Sequence, residues 1–443
     1  MTTTSATPMA SGDDDRPLLL GTGHACTLGR FAARVRALAA TLPEARHAIN
    51  LCESRDRFLV AFCAAAVRGQ TTLLPPSRAP ETIVDIRTRY PSTYLIGDAG
   101  TKLAADVYLA DVMAEVPGAM PAIDDAMVVA IGFTSGSTGV PGANPKTWGS
   151  VRASTAQNIE ALHDLWDGDA IASVVATVPP QHMYGMEMSV LLPLLGPVAV
   201  HAGRPFFPHD IAAALREVPA PRILVTTPVH LRAVVESGVA LPPLAAILTA
   251  TAPLPPELAR TAEQRFGGEV RELFGSTETC VIARRRTAIE QAWTLYPGVT
   301  LVPGAEGTTV ERVSLVEPVQ LADIVELGDA GRRFELRGRH ADLLEIAGKR
   351  ASLGDLGRIL QAIPGVRDGV VVQGLQADAS GTRRLVAIIE ADPTLADAAV
   401  LEAFRTATDP VFVPRRIIRV PQLPRNETGK LPRAALEALL ARP

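Results

Sequence analysis

The chain has 443 residues, 47% of them hydrophobic, which is enough for two or three folding units with substantial cores. Its 43 basic and 47 acidic residues give a net charge of −4, which provides no positive field for nucleic acid and excludes nucleic-acid binding as a primary function. Four cysteines show neither metal-ligand pairing nor a disulfide framework, so we interpret them as core thiols from a reducing compartment: Cys26, Cys52, Cys63 and Cys280.

Residues 1–15 are rich in Thr, Ser, Ala and Asp, unlike the basic start of a signal peptide. We expect these residues to form a disordered tail. The longest apolar stretch, Ser189 to Ala202, is short and is interrupted by two prolines, so we predict no membrane span. Together these features favour a cytoplasmic protein.

Helix-like periodicity in Arg30 to Leu42 and in Asp56 to Val67 alternates with short apolar segments such as Ala48 to Cys52 and Gln70 to Pro75. Such alternation predicts an α/β fold rather than an all-helical or all-β core. We expect a large N-terminal domain with doubly wound mixed sheets.

A loop rich in glycine and hydroxyl residues follows Met127 to Ile131, which we predict to be a buried strand. The loop has no charge before Lys146, and it contains Thr134, Ser135, Gly136, Ser137, Thr138 and Gly139. Its main-chain N–H groups can wrap a phosphate, and a helix predicted over Ser150 to Leu162 would add its positive N-terminal end. The spacing excludes a Walker loop and a dinucleotide-binding loop, which leaves another kind of phosphate site or a bland Gly/Ser loop.

The segment from Thr134 to Pro141 resembles the signature of adenylate-forming enzymes, the superfamily of acyl-CoA synthetases, peptide-synthetase adenylation domains and luciferases. The resemblance implies that residues 134–139 and Lys146 bind ATP. In the signature the lysine follows the proline directly, whereas Gly142 to Pro145 intervene here. Because ordering a lengthened arm costs entropy, we expect Lys146→Ala to lose less than about 1.4 kcal/mol, roughly tenfold in kcat/KM for ATP. Thr138→Val is expected to lose more.

Two later segments match the family in order. Pro179 to Met186 contains a histidine and a glycine at a position where relatives carry a His or aromatic residue before Gly, which implies that His182 lies between the acyl pocket and the nucleotide. A surface histidine on a proline-bounded turn is the alternative. Ile247 to Leu254 resembles the strand and turn beside the adenine, where small residues such as Ala252 let a flat base approach the main chain.

The segment from Glu272 to Thr279 resembles the aromatic-Gly-x-Thr-Glu motif of the family. In this motif Phe274 would offer a flat face to the adenine, and Gly275 would allow close approach. Thr277 would donate to a phosphate, and Glu278 would hold the Mg²⁺ that neutralises the triphosphate.

The ribose contacts are expected further along. Relatives have an Asp that grips both ribose hydroxyls, and Asp323 is our assignment, with Asp329 as the alternative. Gly338 to Asp342 matches Gly-Arg-x-x-Asp, which implies that Arg339 hydrogen-bonds the ribose and that Asp342 is the hinge between domains. A plain charged loop is the alternative for this motif.

From about residue 343 the pattern predicts a small α+β domain, which begins with a helix capped at Ser352 and contains a strand pair and a third strand. Pro424 to Arg433 resembles the family element whose lysine, here Lys430, bridges the attacking carboxylate and the α-phosphate. A mobile loop suits a group that enters the site for one half-reaction only, whereas a solvated surface lysine is the alternative. We therefore expect a tail (1–15), a large domain (16–341) and a small mobile domain (342–443).

The resemblance covers roughly residues 127 to 433 and implies an ATP- and Mg²⁺-dependent ligase for a small carboxylic acid. The acyl group would pass from an adenylate to the thiol of an acyl carrier protein's phosphopantetheine or of coenzyme A. The catalytic residues would be Lys430, Thr277, Glu278 and His182. The short chain and interrupted loop resemble small ligases of aryl polyene or xanthomonadin-type pigment pathways, thought to load a hydroxybenzoate or hydroxycinnamate onto a carrier protein.

Three alternatives remain. One is an acyl-CoA synthetase for a fatty or aryl acid. The second is a catalytically silent adenylate-binding or carrier-docking protein, favoured by the displaced Lys146 and opposed by the intact Glu278 and Lys430. The third is an ATP hydrolase or kinase, which the missing motifs oppose.

Overall fold

The computed structural model describes residues 5–21, 23, 25–100, 104–134, 142–166, 170–304, 307–315, 317–328, 331–339, 342–346, 349–377, 383–426, 429 and 431–441. The chain divides into two compact units: Met1–Glu290, Leu295–Val299 and Glu311–Val319 form the first, and Gln291–Thr294, Thr300–Val310 and Gln320–Pro443 form the second. Residues 320–341, which we assigned to the large domain from sequence, thus cluster with the second unit. A hinge at Asp342 stays a prediction.

The first unit contains sixteen described strands and nine described helices. Strands β1 to β16 are Ala6–Pro8, Pro17–Leu20, Cys26–Thr27, His47–Asn50, Thr71–Leu74, Thr93–Asp98, Val107–Leu109, Ala122–Asp124, Val128–Thr134, Gly142–Thr147, Ala172–Ala176, Val198–His201, Arg222–Thr226, Ala246–Thr249, Glu269–Ser276 and Cys280–Arg285. Helices α1 to α9 are Leu28–Ala39, Arg55–Val67, Pro80–Arg89, Trp148–Leu162, Met183–Met186, Leu192–Leu195, Pro208–Glu217, Pro228–Ser237 and Pro256–Phe266.

Two mixed sheets organise this unit, as the sequence predicts. The first has the order β10-β9-β5-β4-β6-β7 and is parallel apart from the β9–β10 pair. In the second, β2, β12, β11, β13, β14 and β15 are parallel, and β3 and β16 add antiparallel strands at the two ends of this series. Helices α7, α8 and α9 pack on the second sheet through Leu215, Leu231 and Ala259. This hydrophobic layer holds the strands of the sheet in place.

The N-terminal segment differs from the expected disordered tail. Strand β1 pairs antiparallel with β8, and Thr7 lies opposite Ile123. Met9 is fully buried, and its N–H donates to the carbonyl oxygen of Pro121 at 2.9 Å. Residues 6–9 are therefore part of the folded unit, because partners more than a hundred residues away bind their main chain.

The segment after the predicted phosphate loop also differs from expectation. We predicted that the loop would lead directly into a helix, but Gly142–Thr147 forms strand β10, which pairs with β9 in a hairpin. Helix α4 then begins at Trp148, and Oγ1 of Thr147 accepts a hydrogen bond from the N–H of Ser150 at 3.1 Å. A six-residue strand spans about 20 Å. The N-terminus of α4 is thus not the adjacent phosphate partner that we expected.

The described strands of the second part, β17 to β27, are Trp293–Leu295, Val299–Gly304, Gly307–Arg312, Val319–Gln320, Asp323–Gly328, Arg333–Arg339, Leu343–Ile346, Lys349–Ser352, Val366–Ala377, Arg383–Ala391 and Arg416–Arg419. Helices α10 to α12 are Leu353–Gln361, Asp397–Ala407 and Arg433–Leu440. Strands β18, β19 and β20 form a small sheet, β23 and β24 pair, and β22 pairs with β21 and β17.

The C-terminal α+β layer agrees with the sequence prediction. Strands β25, β26 and β27 form one sheet, with β25 antiparallel and β27 parallel to β26. Alternate residues of β26 point to opposite faces: Ala387 packs with the cluster of α10 and α11, whereas Ile388 packs with the cluster of α12. Oγ of Ser352 accepts from the N–H of Gly354 at 3.1 Å, so α10 begins at the predicted cap.

All four cysteines are free and buried, which confirms their interpretation as core thiols. Among the described residues, no helix combines the length and apolar character needed to span a membrane.

Candidate active site

The predicted nucleotide residues of the first unit lie where parallel strands end. Strands β11, β13, β14 and β15 run in the same direction, so their carboxyl ends share one edge of the sheet. His182 follows β11, Ala252 follows β14, and Phe274 and Gly275 lie near the end of β15. Ligands of open α/β sheets bind outside this edge.

The turn that carries Thr277 and Glu278 is the tip of the hairpin between β15 and β16. Two reciprocal hydrogen bonds fix it: the N–H of Ser276 donates to Oγ1 of Thr279 at 3.1 Å, and the N–H of Thr279 donates to Oγ of Ser276 at 3.1 Å. Thr277 and Glu278 are partly buried between these anchors. The tip therefore presents one hydroxyl and one carboxylate in a defined position.

Gly275 and Cys280 close the same hairpin. A Cβ atom on Gly275 would lie 2.1 Å from the carbonyl oxygen of Cys280, so the neighbouring strand itself requires glycine there. Close approach of an adenine to Gly275 stays a prediction. Cys280 has a φ of 60°, in the left-handed region, which costs a non-glycine residue of order 1–3 kcal/mol. Such strain persists only where surrounding groups hold the main chain.

Lys146 joins the phosphate-loop hairpin to this turn. It lies on β10, is 6% exposed, and its Nζ donates a hydrogen bond to the main-chain carbonyl oxygen of Glu278 at 2.6 Å. Gly132 on β9 makes a second contact, since a Cβ atom there would lie 2.6 Å from Cγ2 of Thr277 and 3.1 Å from Cε of Met183. The structure thus brings the strand before the loop against the turn and against the helix that follows the predicted histidine.

The position of Lys146 corrects the premise that a loose arm carries it. The four intervening residues extend a strand whose partners on β9 are fixed, with Lys146 opposite Ala130. The entropy cost of ordering the segment before Lys146 is therefore already offset by the pairing of β10 with β9. Thr134 ends β9, whereas Ser135, Gly136, Ser137, Thr138 and Gly139 lie outside the described residues.

The donor set at the tip fits Mg²⁺ as a nucleotide-bound ion. Among the described residues, no cluster of three or more His, Cys, Asp or Glu side chains could hold a metal by itself. Mg²⁺ commonly binds through one or two carboxylates together with substrate phosphates. The partly buried Glu278, beside the hydroxyl of Thr277, offers one such carboxylate.

His182 caps a helix. Its Nδ1 accepts from the N–H of Tyr184 at 3.3 Å, at the start of α5. The ring is partly buried, and its place beside an acyl pocket stays a prediction. Nearby, the segment containing Ala252 is anchored where the N–H of Leu254 donates to Oε1 of the buried Glu272 at 3.1 Å.

In the second unit, two predicted ribose residues are brought together. Asp323 begins β21, and its partner in the antiparallel register is Arg339 at the end of β22. The side chain of Arg339 lies outside the described part of the structure, as do Asp329 and Lys430. Asp342 precedes β23 and is partly buried.

Two buried charged residues beside the turn were missed by our sequence analysis. Glu187 lies in a π-helical turn, Glu187–Leu191, and both carboxylate oxygens accept from the N–H of Val281 at 3.1 Å. Arg312 donates to the carbonyl oxygens of Thr279 and Val281 at 3.0 and 2.9 Å. A glutamate inside the apolar run from Met183 to Leu195 was an available signal, because Glu is almost never buried without partners. Arg312 had no comparable signal.

Burial shapes the protonation of this region. It raises the pKa of Glu187, while the Val281 N–H, the Arg312 guanidinium, Asn158 and the Lys146 ammonium act in the opposite direction. It also raises the pKa of the Cys280 thiol to about 11, with the Glu187 carboxylate adding to the shift. Cys280 is therefore a protonated thiol at neutral pH and offers no nucleophile.

Sequence comparison finds relatives among acid–CoA ligases. The 4-coumarate–CoA ligase of Rhodobacter capsulatus is 29% identical over 238 residues, covering 53% of this chain and 57% of that protein. The human mitochondrial acyl-coenzyme A synthetase ACSM2A is 24% identical over 357 residues, covering 69% and 60%. The chain thus spans less than two thirds of the length of these curated relatives.

Structural comparison shows the same fold in solved proteins. ATP-bound MatB from Rhodopseudomonas palustris has a TM-score of 0.76 at 16% identity, with 97% of this chain and 96% of that chain covered. The o-succinylbenzoate CoA synthetase MenE from Bacillus subtilis, in complex with the acyl-adenylate OSB-AMP, has a TM-score of 0.78 at 16% identity, with 98% of both chains covered. Residues 13–312, more than half of the chain, match the family described as AMP-binding enzyme, and the protein belongs to that family.

Proposed function

We propose that the protein is an adenylate-forming ligase, which activates a carboxylic acid with ATP and then passes the acyl group to a thiol. The observation that carries this proposal is the hydrogen bond from Lys146 to the carbonyl oxygen of Glu278, because it joins two motifs far apart in sequence at the edge where α/β sheets bind nucleotides. Membership of the AMP-binding family supports it.

Each residue has a stated task in this proposal. Thr277 donates a hydrogen bond to the α-phosphate, Glu278 supplies a carboxylate for the metal, and Lys430 enters with its loop to meet the charge that develops during adenylation. Asp323 and Arg339 hold the ribose. Bound Mg²⁺ would neutralise charge on the phosphates. No side chain needs to act as a nucleophile, because orientation and charge complementarity lower the barrier.

The finer proposal concerns the acid. We infer an aryl acid of the hydroxybenzoate or hydroxycinnamate type, loaded onto an acyl carrier protein. The names of two related proteins, a 4-coumarate–CoA ligase and an o-succinylbenzoate CoA synthetase, support an aryl acid. The same names contain coenzyme A, so an acyl-CoA synthetase is the competing reaction. A silent adenylate-binding protein is the alternative of another class, and the contact of Lys146 with the turn is an observation that supports a catalytic protein against it.

Pyrophosphate release from ATP tests the proposal. The protein is incubated with Mg²⁺-ATP and a panel of hydroxybenzoates, hydroxycinnamates and fatty acids, with an acid-free reaction as the control. Release that depends on one class of acid is the expected result. Acid-independent hydrolysis would indicate an ATPase, and ATP binding without release would indicate a silent protein. Coenzyme A and a phosphopantetheinylated carrier protein are then compared as acceptors of the activated acid.

A further inference from the structure

The turn after Glu278 is surrounded by three buried charged side chains from three separate elements. Lys146 on β10 donates to the carbonyl oxygen of Glu278. Arg312, on β19, donates to the carbonyl oxygens of Thr279 and Val281. Glu187 accepts the N–H of Val281. Four main-chain groups of residues 278–281 therefore each form a hydrogen bond with one of these charged side chains.

Two of these side chains, Glu187 and Arg312, are themselves held from helix α4. Ser154 and Asn158 donate to Oε2 of Glu187 at 3.3 and 3.2 Å. Oε1 of Gln157 accepts from Arg312, and Nε2 of Gln157 donates to the carbonyl oxygen of Pro297 at 2.6 Å. Side chains fixed in this way cannot follow the turn if it moves.

The main chain around Cys280 needs these hydrogen bonds because its conformation is strained. Cys280 adopts left-handed φ although it is not glycine, and it lies between the carbonyl groups that Arg312 binds. Strained conformations persist where neighbours over-determine them. Hydrogen bonds to charged partners are stronger than neutral ones, and both cations donate to carbonyl oxygens here.

We propose that Lys146, Glu187 and Arg312 are positioning residues, which hold the main chain of residues 278–281 and thereby aim the Thr277 hydroxyl and the Glu278 carboxylate. This inference rests on the proposed function for the roles of those two groups. Lys146 thus acts through the protein main chain, in addition to any contact with a nucleotide. A contact on the main chain leaves the Glu278 carboxylate free of a competing ammonium partner.

Hydrogen–deuterium exchange on the full chain without nucleotide tests the positioning directly. Glu187→Ala and Lys146→Met should accelerate exchange in a peptide covering residues 277–283 by about tenfold or more, because each removes a buried charged partner of this segment. Glu187→Gln should stay near the wild type. Its amide oxygen can accept from Val281, and its NH₂ can donate to Oδ1 of Asn158, which is buried and has no hydrogen-bond partner among the described residues.

Glu263 provides the matched control at the opposite end of β15. Its carboxylate accepts from the N–H of Val270 at 2.8 Å and from Arg286, so Glu263→Ala also removes a main-chain anchor. That change should loosen a peptide around residues 268–272 and leave 277–283 unchanged. Equal loosening of both peptides by Glu187→Ala and by Lys146→Met would show general destabilisation and overturn the proposal, as would unchanged exchange at 277–283.

A functional readout separates positioning from loss of folded protein. The half-saturating Mg²⁺ concentration for pyrophosphate release should rise about tenfold in Glu187→Ala and Lys146→Met, as found when groups that orient a metal ligand are removed. It should not change in Glu263→Ala, because a smaller active fraction lowers the rate without changing metal affinity. An unchanged Mg²⁺ dependence in both site variants would overturn the proposal. If the wild type releases no pyrophosphate with any acid, the proposed function fails, and the exchange result still decides whether the turn is held.

Discussion

Asp323 and Arg339 are paired in register on neighbouring antiparallel strands, so the first residue of β21 lies opposite the last residue of β22. Both were predicted to hold the ribose of ATP. Because the main-chain pairing fixes their Cα positions, a nucleotide placed at this end of the strand pair would meet an acidic and a basic residue together. The prediction of a bidentate ribose contact therefore concerns a defined structural position.

Replacing Asp323 with Ala should raise the KM for ATP strongly, with a smaller effect on kcat. Two charge-assisted hydrogen bonds to the ribose hydroxyls are lost, at roughly 1.5–3 kcal/mol each. Steady-state kinetics with varied ATP measures the change. Asp329→Ala is the comparison: a large KM effect there, with none in Asp323→Ala, would move the ribose contact to Asp329.

Replacing Lys430 with Ala should leave ATP binding nearly intact and lower adenylate formation by about two to three orders of magnitude. A charge contact made only in the transition state is worth about 3–4 kcal/mol. Calorimetry measures binding, and acid-dependent pyrophosphate release measures adenylation. Arg405→Ala removes an exposed cation from the same unit, paired with Glu402, and should change neither quantity. Near-normal release by the Lys430 variant would remove this lysine from the reaction.

Replacing Lys146 with Ala should lower kcat/KM for ATP by more than about tenfold, or 1.4 kcal/mol. This reverses our expectation from sequence, since the ammonium group is buried and bonded to Glu278. A Lys146→Arg variant should fail to restore activity, because a planar guanidinium does not replace a compact ammonium in a buried site. A loss below tenfold would return Lys146 to the minor role expected of a loose arm.

Replacing Gly275 with Ala should destabilise the first unit by about 1–3 kcal/mol, because the added Cβ would overlap the carbonyl oxygen of Cys280. Gly357, inside helix α10, has no atom within 4 Å of the corresponding position. Gly357→Ala should therefore stabilise α10 by about 0.5–1 kcal/mol. Thermal unfolding followed by circular dichroism compares the two. Equal tolerance of both changes would contradict the tight hairpin.

Glu187 should make stability depend on pH. Burial raises its pKa in the folded state, so the folded protein binds this proton more tightly than the unfolded chain does. Its contribution is complete below the unfolded pKa, about 4.3, and is lost as pH rises through the folded pKa. The melting temperature of the wild type minus that of Glu187→Gln should therefore fall from about pH 4 upward. A difference that grows with pH would mean that the cations outweigh burial.

Much of the fold was predictable because it depends on local pattern. The strand pair β25–β26 and the start of α10 at Ser352 follow from short apolar runs and from a capping residue. Strand β1 was not predictable in this way, since its identity depends on pairing with residues 122–124. Strand β10 contains Gly, Asn and Pro, which are rare in strands, so only its partner β9 makes it one.

The sequence offered candidate site residues where the family motif is short and continuous, as in the segment that carries Thr277 and Glu278, and their roles stay predictions. Groups that support the motif from a distance were not predictable, because they act on main-chain atoms and leave no pattern. The chain has 43 basic residues but only four lysines, Lys102, Lys146, Lys349 and Lys430. Position 146 thus carries a compact ammonium group rather than a guanidinium, a difference that our sequence analysis did not weigh.

In the β9–β10 hairpin, the number of residues before Lys146 decides which face of the strand its side chain occupies. Side chains of a strand alternate between faces, so adding or removing an even number of residues before Lys146 in β10 would keep its side chain on the same face. An odd number would direct its ammonium group away from Glu278. A redesign of this loop can therefore lengthen or shorten the hairpin in steps of two residues while keeping the same cation in place, which makes the hairpin a length-adjustable arm for grafting between relatives.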